Sequence, residues 1–262
     1  MIKEESYVQT VSEAAIRRHL STAVFGKRML IEPTLPSTNI TARQLAISGA
    51  PEGTAVIADA QSAGRGTRGR AFFSPQGGVY LSVILRPTGM DGCLITSCAA
   101  VAVARAIERL CPLKIQIKWV NDLYVNGKKL CGILTEAGFA PDNTIDYVVL
   151  GIGVNVAAVD FPPDIAAVAT SLGNEGCEID RNALIAAVLE EWEAAYTTIG
   201  SGAFLAESRE RSCVLGRQIA VVRGNDCFQA IATDINDRGH LLVQKSDGEQ
   251  IALLSGEVSI RI

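Results

Sequence analysis

Histidine is almost missing from this sequence. Two occur in 262 residues, His19 and His240. The first falls in a short N-terminal helical pattern and the second in a turn; neither has a cysteine or acid cluster beside it, so both read as surface residues. Histidine-based triads and histidine metal sites have almost no material to work with. Paired cysteine motifs are also missing. The seven cysteines, at 93, 98, 111, 131, 177, 213 and 227, are odd in number and form no CxxC. They read as buried reduced thiols of a cytoplasmic protein rather than a disulfide framework or a zinc site. The N-terminal MIKEESYVQTVSEAAIRRHL lacks the apolar core of a signal peptide. No apolar run approaches the ~20 residues of a membrane span. A basic excess is lacking as well: 24 Lys and Arg stand against 28 Asp and Glu, a net charge of -4. Any anion site must therefore be built locally.

What is present suits a large core, since 48% of the residues are apolar. Repeats and low-complexity stretches are not seen. Residues 12–23 read as a short helix and 28–33 as a strand. Ser37-Thr38-Asn39 opens a helix of about ten residues that Gly49 closes. Strands follow at 54–59 and 79–85, then an alanine-rich helix at 91–110 and a strand at 115–119. Asn126-Gly127 between apolar runs signals a tight hairpin. A strand at 145–156 and a helix at 180–199 complete the larger part. Beyond about residue 214 short β-rich runs recur, at 217–223, 227–234, 240–244, 249–254 and 257–261. Turn residues separate them, which suggests a small barrel-like domain. The expected class is α+β, a mixed sheet with helices over 1–213 and a small β domain over 214–262.

Three segments carry chemistry. Gly64-Arg65-Gly66-Thr67-Arg68-Gly69-Arg70 contains a formal GxGxxG. A dinucleotide turn needs a helix to follow, but Pro75 and Gly77-Gly78 exclude one, and no GxxxxGK[ST] occurs. What remains is a glycine loop with three arginines, suited to phosphate or carboxylate oxygens. Lys118-Trp119-Val120-Asn121-Asp122 and Lys129 flank the hairpin, whose arms bring Lys118, Asp122 and Lys129 to one end. Gly151-Ile152-Gly153-Val154-Asn155 is a strand thinned by glycine, either for packing or to admit a ligand.

In this order, with Ser37-Thr38-Asn39 and Gln61 before them, these segments resemble biotin–protein ligases. The glycine-arginine loop is similar to the family's Q-x-x-GRGRxGR, and KWVNDLYVNGKKLCGILTE to its K-W-P-N-D…K-x-x-G-I-L-x-E. GIGVNV, Thr170-Ser171-Leu172 and the final SGEVSI fit further elements, so the likeness runs from about residue 28 to the C-terminus. It implies a core like class II aminoacyl-tRNA synthetases and lipoate ligases, with an SH3-like C-terminal domain. It also implies a reaction: ATP and Mg²⁺ activate biotin to biotinyl-5′-AMP, and a lysine of a biotin carboxyl carrier protein then takes the biotin. The implied catalytic residues are Lys129, Arg65, Arg68 and Arg70. For biotin they are Ser37, Thr38, Asn39, Gln61, Gly64, Arg65, Gly66, Lys129, Gly132, Ile133, Gly151 and Gly153. For the nucleotide they are Arg65, Arg68, Arg70, Phe72, Asn121, Asp122, Lys129 and Asn155; no protein metal ligand is assigned.

Two positions depart from the pattern. Thr67 stands where a second basic residue is usual, which weakens the loop's charge and its hold on the adenylate. Val120 stands where proline is usual, which alters only the backbone leading to Asn121-Asp122. About thirty-six residues precede Ser37 with one short helix among them, too little for a helix-turn-helix, so no DNA partner is expected. A homodimer stays open. A lipoate ligase is the nearest rival, with KWVNDL against it; a non-enzymatic biotin sensor is the rival from another class.

Overall fold

Alternation along the strands decides which way each of two β-sheets faces. The computed structural model describes residues 10–87, 92–223, 226–254 and 258–261. The larger sheet holds β1 (Met29–Leu35), β2 (Ala55–Gln61), β3 (Val79–Leu85), β4 (Gln116–Lys118), β5 (Asp122–Val125), β6 (Lys128–Phe139) and β7 (Ile145–Val154), in the order β1-β2-β3-β7-β6-β5-β4. β1 and β2 run parallel, joined by α2 (Thr38–Ile47); the other neighbours are antiparallel. One crossover unit thus sits in a sheet otherwise built from antiparallel pairs.

All of β3 is buried. Val79, Leu81, Val83 and Leu85 face the main core, with α3 (Gly92–Leu110) and α4 (Arg181–Thr197), while Ile84 faces Ala42 and Ala46 of α2 on the opposite side. A strand covered on both faces reads as a near-continuous apolar run, as VYLSVIL does apart from Ser82. α1 (Glu13–Arg17) packs on α4. α4 starts where Asp180 accepts the N–H groups of Asn182 and Ala183. Asn126 and Gly127 have φ of 49° and 77°, the left-handed pair a two-residue hairpin needs.

α5 (Phe204–Glu210) leads to the second sheet, β8 (Gln218–Arg223), β9 (Asp226–Ile235), β10 (Leu241–Gln244), β11 (Gln250–Leu253) and β12 (Val258–Arg261), ordered β11-β10-β9-β8-β12 and antiparallel throughout. It fits the small SH3-like domain expected. Residues 224–225, where the sequence suggests a turn, and residues 255–257 of SGEVSI lie outside the described residues, as do 1–9, 88–91 and 262. The β9–β10 turn docks on the larger part: Trp119 Nε1 donates to Gly239 O at 2.9 Å and Cys93 Sγ lies 3.1 Å from the same oxygen.

Two sequence expectations need correction. Cys111, just after α3, is disulfide-bonded to Cys177, with Cα atoms 6.3 Å apart, so the seven thiols are not all free; residues 66 apart in sequence gave no motif to read. Cys93, Cys98, Cys131 and Cys213 are buried free thiols, and Cys227 is exposed. His240 is buried at 6% exposure rather than on the surface, in the turn that packs on Trp119 and Cys93. Among the described residues no helix is long and apolar enough to cross a membrane.

Candidate functional site

The α2 face of the sheet is bare where β6 and β7 carry glycine. Gly132 pairs with Gly153, and Gly151 lies beside Leu134 on one side and Ser82 on the other. No side chain rises from these glycines, and a cleft of about 120 Å³ opens above them. Its walls are the start of α2, the loop after β2, and the starts of β5 and β6. Close approach explains the glycines: a Cβ on Gly151 would collide with Asn39 Oδ1, and one on Gly153 would come within 2.6 Å of the Phe72 ring.

Ser37, Thr38, Asn39 and Gln61 form one end. Ser37 occupies the N-cap of α2, yet its side chain caps no backbone amide. Gln61 does that work instead: its Oε1 accepts Thr38 N–H at 2.8 Å, so the hydroxyl of Ser37 is left to the cleft. Gln61 Nε2 donates to Ser74 Oγ at 3.0 Å, and Ser74 Oγ to Phe72 O at 2.9 Å.

The glycine-arginine loop folds as a small hairpin. Phe72 N–H bonds Gly64 O at 2.9 Å and Gly66 N–H bonds Arg70 O at 2.8 Å, with a single 3-10 turn at Thr67–Gly69 between them. No helix follows, as Pro75 implied. Arg65, Gly66, Thr67, Arg70 and Phe72 line the cleft. Arg68, at φ 59°, turns away, and its guanidinium reaches Val222 O of β8 at 3.4 Å. Gly64 is also absent from the lining; it packs against Phe72 O and Ser74 Oγ.

Opposite the loop, Lys129 Nζ lies 2.6 Å from Asp122 Oδ1 and 5.8 Å from the centre of the Phe72 ring. The contact with Asp122 is a close ion pair with an angle too poor for a hydrogen bond, so that buried oxygen keeps no directed donor. Ion pairing depends weakly on angle, so the short contact still joins the two charges. Lys129 thus stands in the cleft as a cation balanced by one carboxylate. Asn121 lines the cleft and ties its Nδ2 to Ile133 O at 3.0 Å; Ile133 lines it too. Asn155 does not; buried at 8% exposure, it donates to Thr170 O at 2.9 Å and holds the 170–172 segment against β7. Lys118 stands across from Asp122 in the β4–β5 pairing, 5.5 Å from the Tyr124 ring, and burial holds its pKa below the usual lysine value despite the pull of Asp122.

The sequence reading missed Ser82 and Glu136. Ser82 was legible as the one polar residue inside an apolar strand; Glu136 ended a matched motif without a role. No histidine is among the described lining residues. The arrangement offers a hydrogen-bonding pocket, a flat glycine floor and three cations, Arg65, Arg70 and Lys129, in one cleft.

Comparison with known proteins fits this division. Residues 31–155 match the family described as biotin/lipoate A/B protein ligase, and residues 214–261 the biotin protein ligase C-terminal domain. The chain is 39% identical to the bifunctional ligase/repressor BirA of Bacillus subtilis, covering 91% of this chain and 76% of that protein. It is 32% identical to biotin–[acetyl-CoA-carboxylase] ligase of Mycobacterium tuberculosis, covering 95% of each. Among solved structures, biotin protein ligase from Aquifex aeolicus in complex with biotin and ATP aligns at a TM-score of 0.79 and 27% identity, covering 90% of this chain and 99% of that one. With two family domains in sequence order and relatives matched over most of their length, the chain belongs to the biotin protein ligase family.

Proposed function

We propose that this cleft joins biotin to ATP and then hands the biotinyl group to a lysine of a biotin carboxyl carrier protein, in the cytoplasm. In the first step a biotin carboxylate oxygen attacks the α-phosphorus, and pyrophosphate leaves. In the second the carrier amine attacks the acyl carbon, AMP leaves and the amine loses a proton. The first step brings two anions together, so its main requirement is fixed positive charge at the point of contact. Lys129, Arg65 and Arg70 supply it, with Lys129 on the carboxylate and α-phosphate. Gly132, Gly151 and Gly153 give the apolar chain of biotin a floor, and Ser37, Thr38, Asn39 and Gln61 meet its ureido ring. Phe72, Asn121 and Asp122 take the nucleotide side. Mg²⁺ would accompany ATP and offset its phosphate charge, with Asp122 the lining residue able to help hold it. Asp122 is the carboxylate among the described lining residues, and no group of three or more acidic, His or Cys side chains is arranged there to hold a metal alone.

The observation that carries the reading is the meeting of Lys129 with Arg65 and Arg70 above a side-chain-free floor. The test is biotin-dependent exchange of labelled pyrophosphate into ATP. Exchange is expected in the wild type, and a loss of roughly 10²–10³ in Lys129→Ala, the usual cost of one transition-state donor. No exchange by folded wild-type protein would overturn the reading.

A further inference from the structure

Asn39 lies on the cleft floor, yet both ends of its amide are already engaged. Nδ2 donates to Glu136 Oε2 at 2.8 Å and to Leu134 O at 3.3 Å. Oδ1 accepts from Ser82 Oγ at 2.6 Å. An amide can be turned end for end with almost no change of shape, so its neighbours must decide which end faces where. Glu136 settles it. An ionised carboxylate only accepts, and so does Leu134 O, so the NH₂ end must face them. Oδ1 is then directed over Gly151 and accepts from Ser82, with no second donor on it among the described residues. Ser82 is fully buried, where an unpaired hydroxyl would be costly, and it also lies 2.7 Å from Thr38 Oγ1. Glu136 reaches outward too, with Oε1 3.4 Å from an Arg65 guanidinium nitrogen. Neither Ser82 nor Glu136 lines the cleft.

We infer that Ser82 and Glu136 are positioning residues for substrate recognition: they hold Asn39 so that the cleft presents an acceptor, Oδ1, to a ring N–H. The inference rests on the biotin reading and deepens it. A fixed acceptor favours a ureido ring, which carries N–H donors, over a sulfur ring that has none. Ser82 acts on Asn39 and Thr38 alone. Glu136 acts on Asn39 and, through Arg65, on the loop.

The test measures KM for biotin, KM for ATP and kcat in pyrophosphate exchange, with biotin affinity by calorimetry. Ser82→Ala is expected to raise KM for biotin about tenfold, the effect of one lost hydrogen bond, with KM for ATP and kcat unchanged. Glu136→Ala should raise both KM values, and Glu136→Gln, which keeps an acceptor for Asn39 but not the charge for Arg65, should recover biotin binding and not ATP binding. A purely structural role would lower thermal stability and the active fraction without moving KM. Biotin KM within twofold of wild type in both Ser82→Ala and Glu136→Ala, with normal wild-type exchange, overturns the inference. Wild-type protein that neither exchanges nor binds biotin overturns the parent reading, and the inference with it.

Discussion

The loop sends two of its three arginines into the cleft. Arg68 is drawn off to Val222 O, and Arg65 shares its charge with Glu136. Thr67, which lines the cleft, brings a hydroxyl where the family resemblance leads one to expect another cation. Retention of a biotinyl-adenylate depends on charge facing its phosphate, so this chain is expected to release part of it. Thr67→Arg should lower free biotinyl-AMP about tenfold, the equivalent of ~1.4 kcal/mol for one added charge-assisted contact. Mass spectrometry of the filtrate, with and without carrier, reads it. Equal release by both proteins would sink the idea. The same residue scale shows where sequence reading stops. Lys129, Arg65 and Arg70 were named from motifs and do line the cleft. Where Arg68 points depends on β8, more than 150 residues away, and nothing local encodes that.

α4 fastens the N-terminal segment through its carboxylates. Glu193 accepts N–H groups from Ala23, Val24 and Phe25 at 2.6, 2.7 and 2.9 Å. Partial burial pushes its pKa up, but those three donors and nearby Lys27 outweigh it, and the net shift is downward from 4.5. A carboxyl with a lowered folded pKa contributes stability that is complete above its ordinary value and fades as pH falls through the folded one. Glu193→Gln should thus cost ~1 kcal/mol at neutral pH, allowing for solvent screening, and much less near pH 3. Urea titration at both pH values checks this; an equal deficit at each would contradict it. Elements with local signals were legible: the Asn126-Gly127 hairpin, the buried β3 run, and α2 between Ser37 and Gly49. α5 was not, since seven residues without a capping side chain leave no periodic signature. The glycine floor was only half legible. GIGVNV announced a thinned strand, but the pairing of Gly132 with Gly153 belongs to sheet register, which no single segment contains.

At the scale of the molecule, the C-terminal sheet reaches the candidate active site through a buried indole as well as through Arg68 of the loop. Trp119 is 6% exposed and ends the run from β4 toward Asn121-Asp122. Its N–H goes to Gly239 O, and Arg209 of α5 adds a bond to Ile235 O at 2.7 Å. The two sheets therefore share a boundary whose polar groups are satisfied only when both are folded. Trp119→Phe keeps the ring character and deletes the donor. It is expected to cost ~2 kcal/mol from the lost bond and the smaller ring, lowering the thermal midpoint by roughly 4–8 °C. Because Asn121 and Asp122 follow directly, pyrophosphate exchange should fall as well, with KM for ATP affected more than KM for biotin, whose proposed ureido contacts lie at the start of α2 and the end of β2. Calorimetry and exchange kinetics on the same preparation separate the two effects. A lowered midpoint with unchanged KM for ATP would mean that the second sheet stabilises the first without setting its nucleotide side.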